Sequence, residues 1–191
     1  MKNIVLFASG SGSNVENIVR YFQNRPNVAI AGVLTNKRNA KVIDRCDRLN
    51  VNALYFNRNA FDQTDCVLNI LKALDPDLIV LAGFLWKIPK NLIQNFPNKI
   101  VNIHPALLPK YGGKGMYGSR VHEAVKINKE TETGITIHYV NEHYDEGAVI
   151  HQARTTLSEE DSAETIAQKV HELEYDHFPK VIEKLLFPDK I

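Results

Sequence analysis

Five short apolar runs, at residues 4–8, 29–34, 53–56, 78–82 and 100–103, are separated by stretches in which apolar positions recur every three or four residues. The runs have strand length and β-branched content, whereas the patterns at 14–22, 40–49, 65–74 and 89–96 have the helical period. Strict alternation of the two predicts right-handed crossovers. The expected fold is α/β and Rossmann-like, a mostly parallel twisted sheet with helices on both faces. The rhythm breaks after residue 103, where a glycine-bearing loop precedes a helical pattern at 121–127. Two more strands, 134–140 and 149–157, flank the polar turn NEHYDEG, and that spacing predicts an antiparallel C-terminal addition. At the end, Asp161 with Glu164 resembles a capping box ahead of Ile166, Val170 and Leu173, and a second helix is expected over 178–186. No linker, repeat or low-complexity segment interrupts the pattern, so residues 1–191 are expected to form a single domain.

The stretch VNIHPALLPKYGG places an amide and an imidazole, Asn102 and His104, where an apolar strand is about to stop. Residues two apart on a strand share a face, so the two side chains point the same way. Pro105 removes a ladder donor and biases His104 towards an extended conformation. A polar pair is thus held at a strand end, where ligands of open α/β sheets collect. Taken alone, the pair also fits a hydrogen-bonded turn.

Three further segments bear on chemistry. SGSGSN, residues 9–14, joins the first strand to the first helix; its glycines admit close backbone approach and the helix start suits a phosphate. It is neither a dinucleotide loop, which would need glycine where Val15 stands, nor a Walker loop. A single phosphomonoester is the expected ligand. DLIVLAGFLWKIP, residues 77–89, runs from a strand into Gly83, Phe84 and Trp86, which suits a slot for a flat ring, or else Phe84, Leu85 and Trp86 simply plug the sheet's end. GITIHYVNEHYDEGAVI, residues 134–150, holds Asp145 in a glycine-terminated turn. A carboxylate beside an imidazole raises its pKa and an amide donates to developing negative charge, so Asn102, His104 and Asp145 together would support acyl transfer without a metal or a covalent intermediate. On this reading His104 works as a cation maintained by Asp145.

Charge and composition narrow the alternatives. The 23 basic and 22 acidic residues are mixed and leave a formal charge of +1, which argues against a nucleic-acid partner. The start, MKNIVLFASG, is too short in its apolar part for a signal peptide and no run reaches membrane-spanning length. Two cysteines, Cys46 and Cys66, suit a reducing compartment. The expectation is a cytoplasmic protein with small-molecule substrates and no membrane partner, a monomer or a homodimer. The histidines at 122, 138, 143, 151, 171 and 177 form neither HExxH nor a His/Cys cluster, and no Gly-x-Ser-x-Gly elbow is present, so neither a metal site nor a serine nucleophile is expected.

VLFASGSGSN, VLTNK, PDLIVLAGF, VNIHPALLPKY and GITIHYVNEHYDEGAVI, in that order, resemble the glycinamide ribonucleotide formyltransferases of purine biosynthesis over nearly the whole chain. The resemblance implies transfer of a formyl group from 10-formyltetrahydrofolate to the amine of 5′-phosphoribosylglycinamide. It implies that Asn102, His104 and Asp145 are catalytic, that Gly12, Ser13 and Asn14 hold the ribonucleotide phosphate, and that Glu174 contacts the glycinamide ribonucleotide. Leu85, Trp86, Lys87 and Ile88, with Asn102, Val140 and Asn141, would line the folate pocket. Two departures stand out: Gln63 and Thr64 follow Phe61–Asp62 where relatives often carry an arginine, and the loop 112–120 is longer than the usual form. Sugar-nucleotide and methionyl-tRNA formyltransferases and formyltetrahydrofolate hydrolases share the Asn/His/Asp group, and a non-catalytic phosphate-ligand binder is the rival of another class. A binder would tolerate loss of His104 without losing affinity and would show no turnover.

Overall fold

The computed structural model describes residues 1–189 and divides into two compact units, residues 1–101 with 186–189, and residues 102–185. The first holds strands β1 (Lys2–Ala8), β2 (Val28–Thr35), β3 (Ala53–Tyr55) and β4 (Leu78–Leu81), in the order β3-β2-β1-β4. All three pairings are parallel, from Ile4 opposite Leu78 to Ala8 opposite Thr35 and Thr35 opposite Tyr55. Parallel strands are covered on both faces, which is why β4 reads LIVL with every residue buried. The helices α1 (Ser13–Phe22), α2 (Lys41–Leu49), α4 (Cys66–Leu74) and α5 (Lys90–Asn95) form where the periodic pattern predicts. A five-residue helix, α3 (Arg58–Asp62), was not expected; Asn57 caps it by accepting from the Ala60 amide at 2.9 Å, and it buries Phe61.

The second unit begins within β5 (Ile100–His104) and contains α6 (Ser119–Ile127), β6 (Glu132–Tyr139), β7 (Val149–Thr156) and all but the last residue of α7 (Ala163–Leu186). The strand order is β5-β6-β7, and the β6–β7 pair is antiparallel, as the turn spacing predicts, with a bulge where the pairing passes from Ile137 opposite His151 to His138 opposite Val149.

The two terminal helices expected from the sequence are one helix of 24 residues with Pro179 inside it. An internal proline costs about 3 kcal/mol, but the buried stripe Ile166, Val170, Glu174, Phe178, Ile182 runs straight past it. Burying Phe178 and Ile182 contributes roughly 1.5–3 kcal/mol each, enough to outweigh the break. The cap also differs from expectation. Ser162, not Asp161, accepts from the Thr165 amide at 3.2 Å; Asp161 instead binds the Ser158 amide and Lys169.

Candidate active site

The predicted catalytic residues all fall in the second unit, whereas the substrate-binding and folate-binding residues are divided between the two units. In the first, the loop after β1 is braced from several sides. Ser9 is buried, and its hydroxyl accepts from the Leu85 amide at 2.9 Å, tying this loop to the stretch that follows β4. The Gly10 carbonyl accepts from the Val42 amide at 3.2 Å and the Ser11 carbonyl from Arg45 Nε at 2.6 Å. Gly12 has φ of 74°, and a Cβ there would lie 2.4 Å from Val42 Cγ2, so glycine is demanded twice over. Ser13 and Asn14 then open α1, whose first-turn amides lie beyond the reach of intrahelical acceptors.

Beyond β4, Phe84 is buried and meets Phe7 edge-on, with ring centroids 5.2 Å apart, while Trp86 packs on Phe61 at 5.7 Å. Phe84 therefore plugs the core, as the plain reading of that segment allowed. Leu85 and Lys87 are exposed, Trp86 is half-buried beneath the Arg58 guanidinium, and Ile88 is buried.

In the second unit Asn102, His104, Asp145 and Glu174 come together with two residues that the sequence reading left out, His138 and Tyr111. The loop after β5 is fixed by one hydroxyl. Thr136 Oγ1 donates to the Ala106 carbonyl at 2.7 Å and accepts from the Leu108 amide and Gln152 Nε2, both at 3.0 Å. Thr136 is fully buried, so Thr136→Val is expected to leave these partners unsatisfied and to destabilise by about 1–3 kcal/mol in denaturant titration.

His104 is 4% exposed; its Nε2–H donates to the Tyr111 carbonyl at 2.7 Å, and its Nδ1 lies 3.6 Å from Asp145 Oδ2. Asp145 has φ of 55° and its Oδ2 accepts from the Gly113 amide at 2.9 Å. The turn needs glycine two residues later, because a Cβ on Gly147 would fall 1.6 Å from the Tyr139 carbonyl oxygen. His138 donates through Nδ1 to the Tyr139 carbonyl at 2.9 Å, and its Nε2 lies 3.2 Å from Asn102 Nδ2. The same Nε2 lies 3.7 Å from Asp145 Oδ1. Val140 and Asn141 start the turn, where Asn141 Oδ1 accepts from the His143 amide at 2.8 Å. Glu174, 5% exposed, accepts from His171 Nδ1 at 2.9 Å.

Burial lowers the His104 pKa more than the Asp145 charge and the Tyr111 carbonyl raise it, so the resting imidazole is below its ordinary range. The expected standing cation is therefore not what the unliganded site holds. For Asp145 burial pushes the carboxyl up, but His138, His104 and the Gly113 amide outweigh it and keep the group ionised. The resting pair is a neutral ring and a carboxylate, with Nδ1 as the atom where an arriving proton would be held between them. Burial also lowers His122 and His151, whereas the Glu174 bond raises His171. Where a folded imidazole is depressed, the unfolded chain binds more protons as pH falls through its ordinary value of about 6.5. Three depressed groups oppose one raised, so Tm is expected to fall from pH 7.5 to pH 5.5; a Tm rising over that interval would contradict these directions.

Among the described residues no three His, Cys, Asp or Glu side chains are grouped to hold a metal ion, and no helix is long and apolar enough to cross a membrane.

The profile of the family described as Formyl transferase matches residues 2–182. The chain is 37% identical to the phosphoribosylglycinamide formyltransferase of Bacillus subtilis, over 97% of this chain and 95% of that one. Among solved structures it resembles phosphoribosylglycinamide formyltransferase from Anaplasma phagocytophilum, with a TM-score of 0.89 and 29% identity over 100% of this chain and 88% of that one. It also resembles glycinamide ribonucleotide transformylase 1 from Geobacillus kaustophilus, with a TM-score of 0.87 and 34% identity over 97% of this chain and 99% of that one.

Proposed function

The chain belongs to the formyl transferase family, and on that premise we propose that it moves the formyl group of 10-formyltetrahydrofolate onto the amine of 5′-phosphoribosylglycinamide, a step of purine biosynthesis. The observation that carries this reading is the grouping of buried His104 and His138 with half-buried Asn102 and Asp145 in the second unit, which can handle an acyl transfer with no nucleophile of its own.

Attack of the amine puts negative charge on the formyl oxygen and positive charge on nitrogen. Asn102 has two amide hydrogens; one is spent on His138 Nε2, and that bond orients the other towards the developing oxyanion. His104 Nδ1, facing Asp145 Oδ2, takes up the proton that the attacking nitrogen sheds as its new bond to the formyl carbon forms, and Asp145 steadies the resulting imidazolium. The same proton passes to the folate nitrogen as its bond to the formyl carbon breaks, so the overall reaction balances without metal or cofactor oxidation. Gly12, Ser13 and Asn14 bind the phosphate through the start of α1, and Glu174 binds the glycinamide arm. Leu85, Trp86, Lys87 and Ile88, with Asn102, Val140 and Asn141, receive the folate. In this reading residues 1–191 act as one functional domain. Two unpaired cysteines, Cys46 and Cys66, suit a reducing cytoplasmic setting.

The test is a formyl-transfer assay with 10-formyltetrahydrofolate and a panel of amines: the ribonucleotide, a sugar-nucleotide amine and water alone. Formylated ribonucleotide as the dominant product is expected. Release of formate without transfer, or preference for another amine, would overturn the substrate assignment.

A further inference from the structure

The buried Glu174 carboxylate acts on three imidazoles: His171, bonded at 2.9 Å, and His104 and His122 through charge alone. His104 has a place in the proton chemistry and His171 has its bond, but His122 has neither. It lies on the buried face of α6 with Val121 and Val125, is itself 4% exposed, and sets its ring edge-on to His171 with centroids 6.5 Å apart. Its Nδ1 is sealed with no hydrogen-bond partner; its Nε2 is not sealed, yet it too makes no hydrogen bond among the described residues. A buried polar nitrogen without a partner costs about 1–3 kcal/mol, which a leucine or phenylalanine at the same place would avoid. A histidine kept there despite that cost has a use for its remaining nitrogen.

Burial and the neighbouring His171 push the pKa of this ring below its ordinary range, which favours its neutral form. Neutrality matters for an amine substrate. A lone carboxylate beside the amine would favour the ammonium form, which has no lone pair for attack; a neutral imidazole hydrogen-bonds the arm without that bias.

We propose that His122 is a substrate-contacting residue, its Nε2 hydrogen-bonding the glycinamide arm beside Glu174. The proposal rests on the functional reading above and adds a residue which that reading does not use.

Two variants and one titration test it. His122→Phe fills the same space without a ring nitrogen, so KM for the ribonucleotide should rise at least tenfold while KM for 10-formyltetrahydrofolate stays within twofold and Tm does not fall. His122→Gln restores an amide in reach of the substrate and should recover part of the loss. Independently, adding the ribonucleotide alone to the wild-type protein with labelled histidines should shift the His122 ring resonances, a readout that survives even if the Phe variant fails to fold. An unaltered ribonucleotide KM in His122→Phe, or His122 resonances that do not move at saturating ribonucleotide, would overturn the inference. Wild-type protein that forms no formylated ribonucleotide marks failure of the functional reading itself; wild-type turnover with an unaffected Phe variant marks failure of this inference alone.

Discussion

Asp145→Asn is expected to lower kcat roughly a hundredfold or more while both KM values stay within a few-fold. The substitution is geometrically mild. Asp145 sits at φ of 55°, a left-handed conformation that asparagine tolerates better than most residues, and the amide oxygen can still accept from the Gly113 amide. What disappears is the charge 3.6 Å from His104 Nδ1. Burial already holds that imidazole below its ordinary range, with Asp145 as the largest influence opposing it, so the pKa of His104 should fall further in the variant. The ring then takes up a proton less readily as charge develops on the substrate, a loss felt in the transition state more than in ground-state binding. NMR titration of labelled His104, run beside steady-state kinetics on both proteins, reads the two consequences together. A His104 pKa that does not move, with near-normal kcat, would reduce Asp145 to a turn residue.

The sign of the His104 shift shows where sequence reasoning stops. Proximity of a carboxylate was legible in NIH and DEG, and it predicts a raised pKa. The opposing effect is burial, which depends on what covers the end of β5 and is set by packing rather than by any local pattern. His138 was hidden for a related reason. On β6 the buried polar residues Thr136 and His138 alternate with the buried apolar Ile135 and Ile137, a signal of a satisfied polar face, but the partner of His138 is Asn102, 36 residues away on another strand. Glu174 was more readable than it looked: it is the one acid in an every-fourth-residue stripe that is otherwise Ile166, Val170, Phe178 and Ile182. The parallel strands were legible throughout because both their faces are covered, which leaves unbroken apolar runs. By contrast α3 is too short for any period to register, and α7 is one helix where two are expected, because the apolar stripe buried on either side of Pro179 keeps it continuous.

Gly12→Ala tests the other unit, and its expected effect falls on one substrate. The added Cβ would lie 2.4 Å from Val42 Cγ2, 2.7 Å from Val42 Cβ and 3.0 Å from Val42 Cα, at a φ of 74° that alanine adopts reluctantly. Rotating the Val42 side chain relieves only the first of these contacts, because Cβ and Cα move with the backbone of α2. The loop must therefore shift away from α2, and the amides of Ser13 and Asn14 shift with it. Helix-start amides bind phosphate through aligned hydrogen bonds that weaken steeply once misdirected. KM for the ribonucleotide should rise at least tenfold. The bond from the Leu85 amide to Ser9 Oγ lies before the strained residue, so the stretch from Leu85 to Ile88 keeps its anchor, and KM for 10-formyltetrahydrofolate should stay within twofold. Steady-state kinetics varying each substrate in turn separate the two constants, and a Tm measured on the same preparation shows how much folded protein each assay contains. Equal increases in both KM values would remove the phosphate from this loop, and an unchanged ribonucleotide KM would show that the loop yields without disturbing the site.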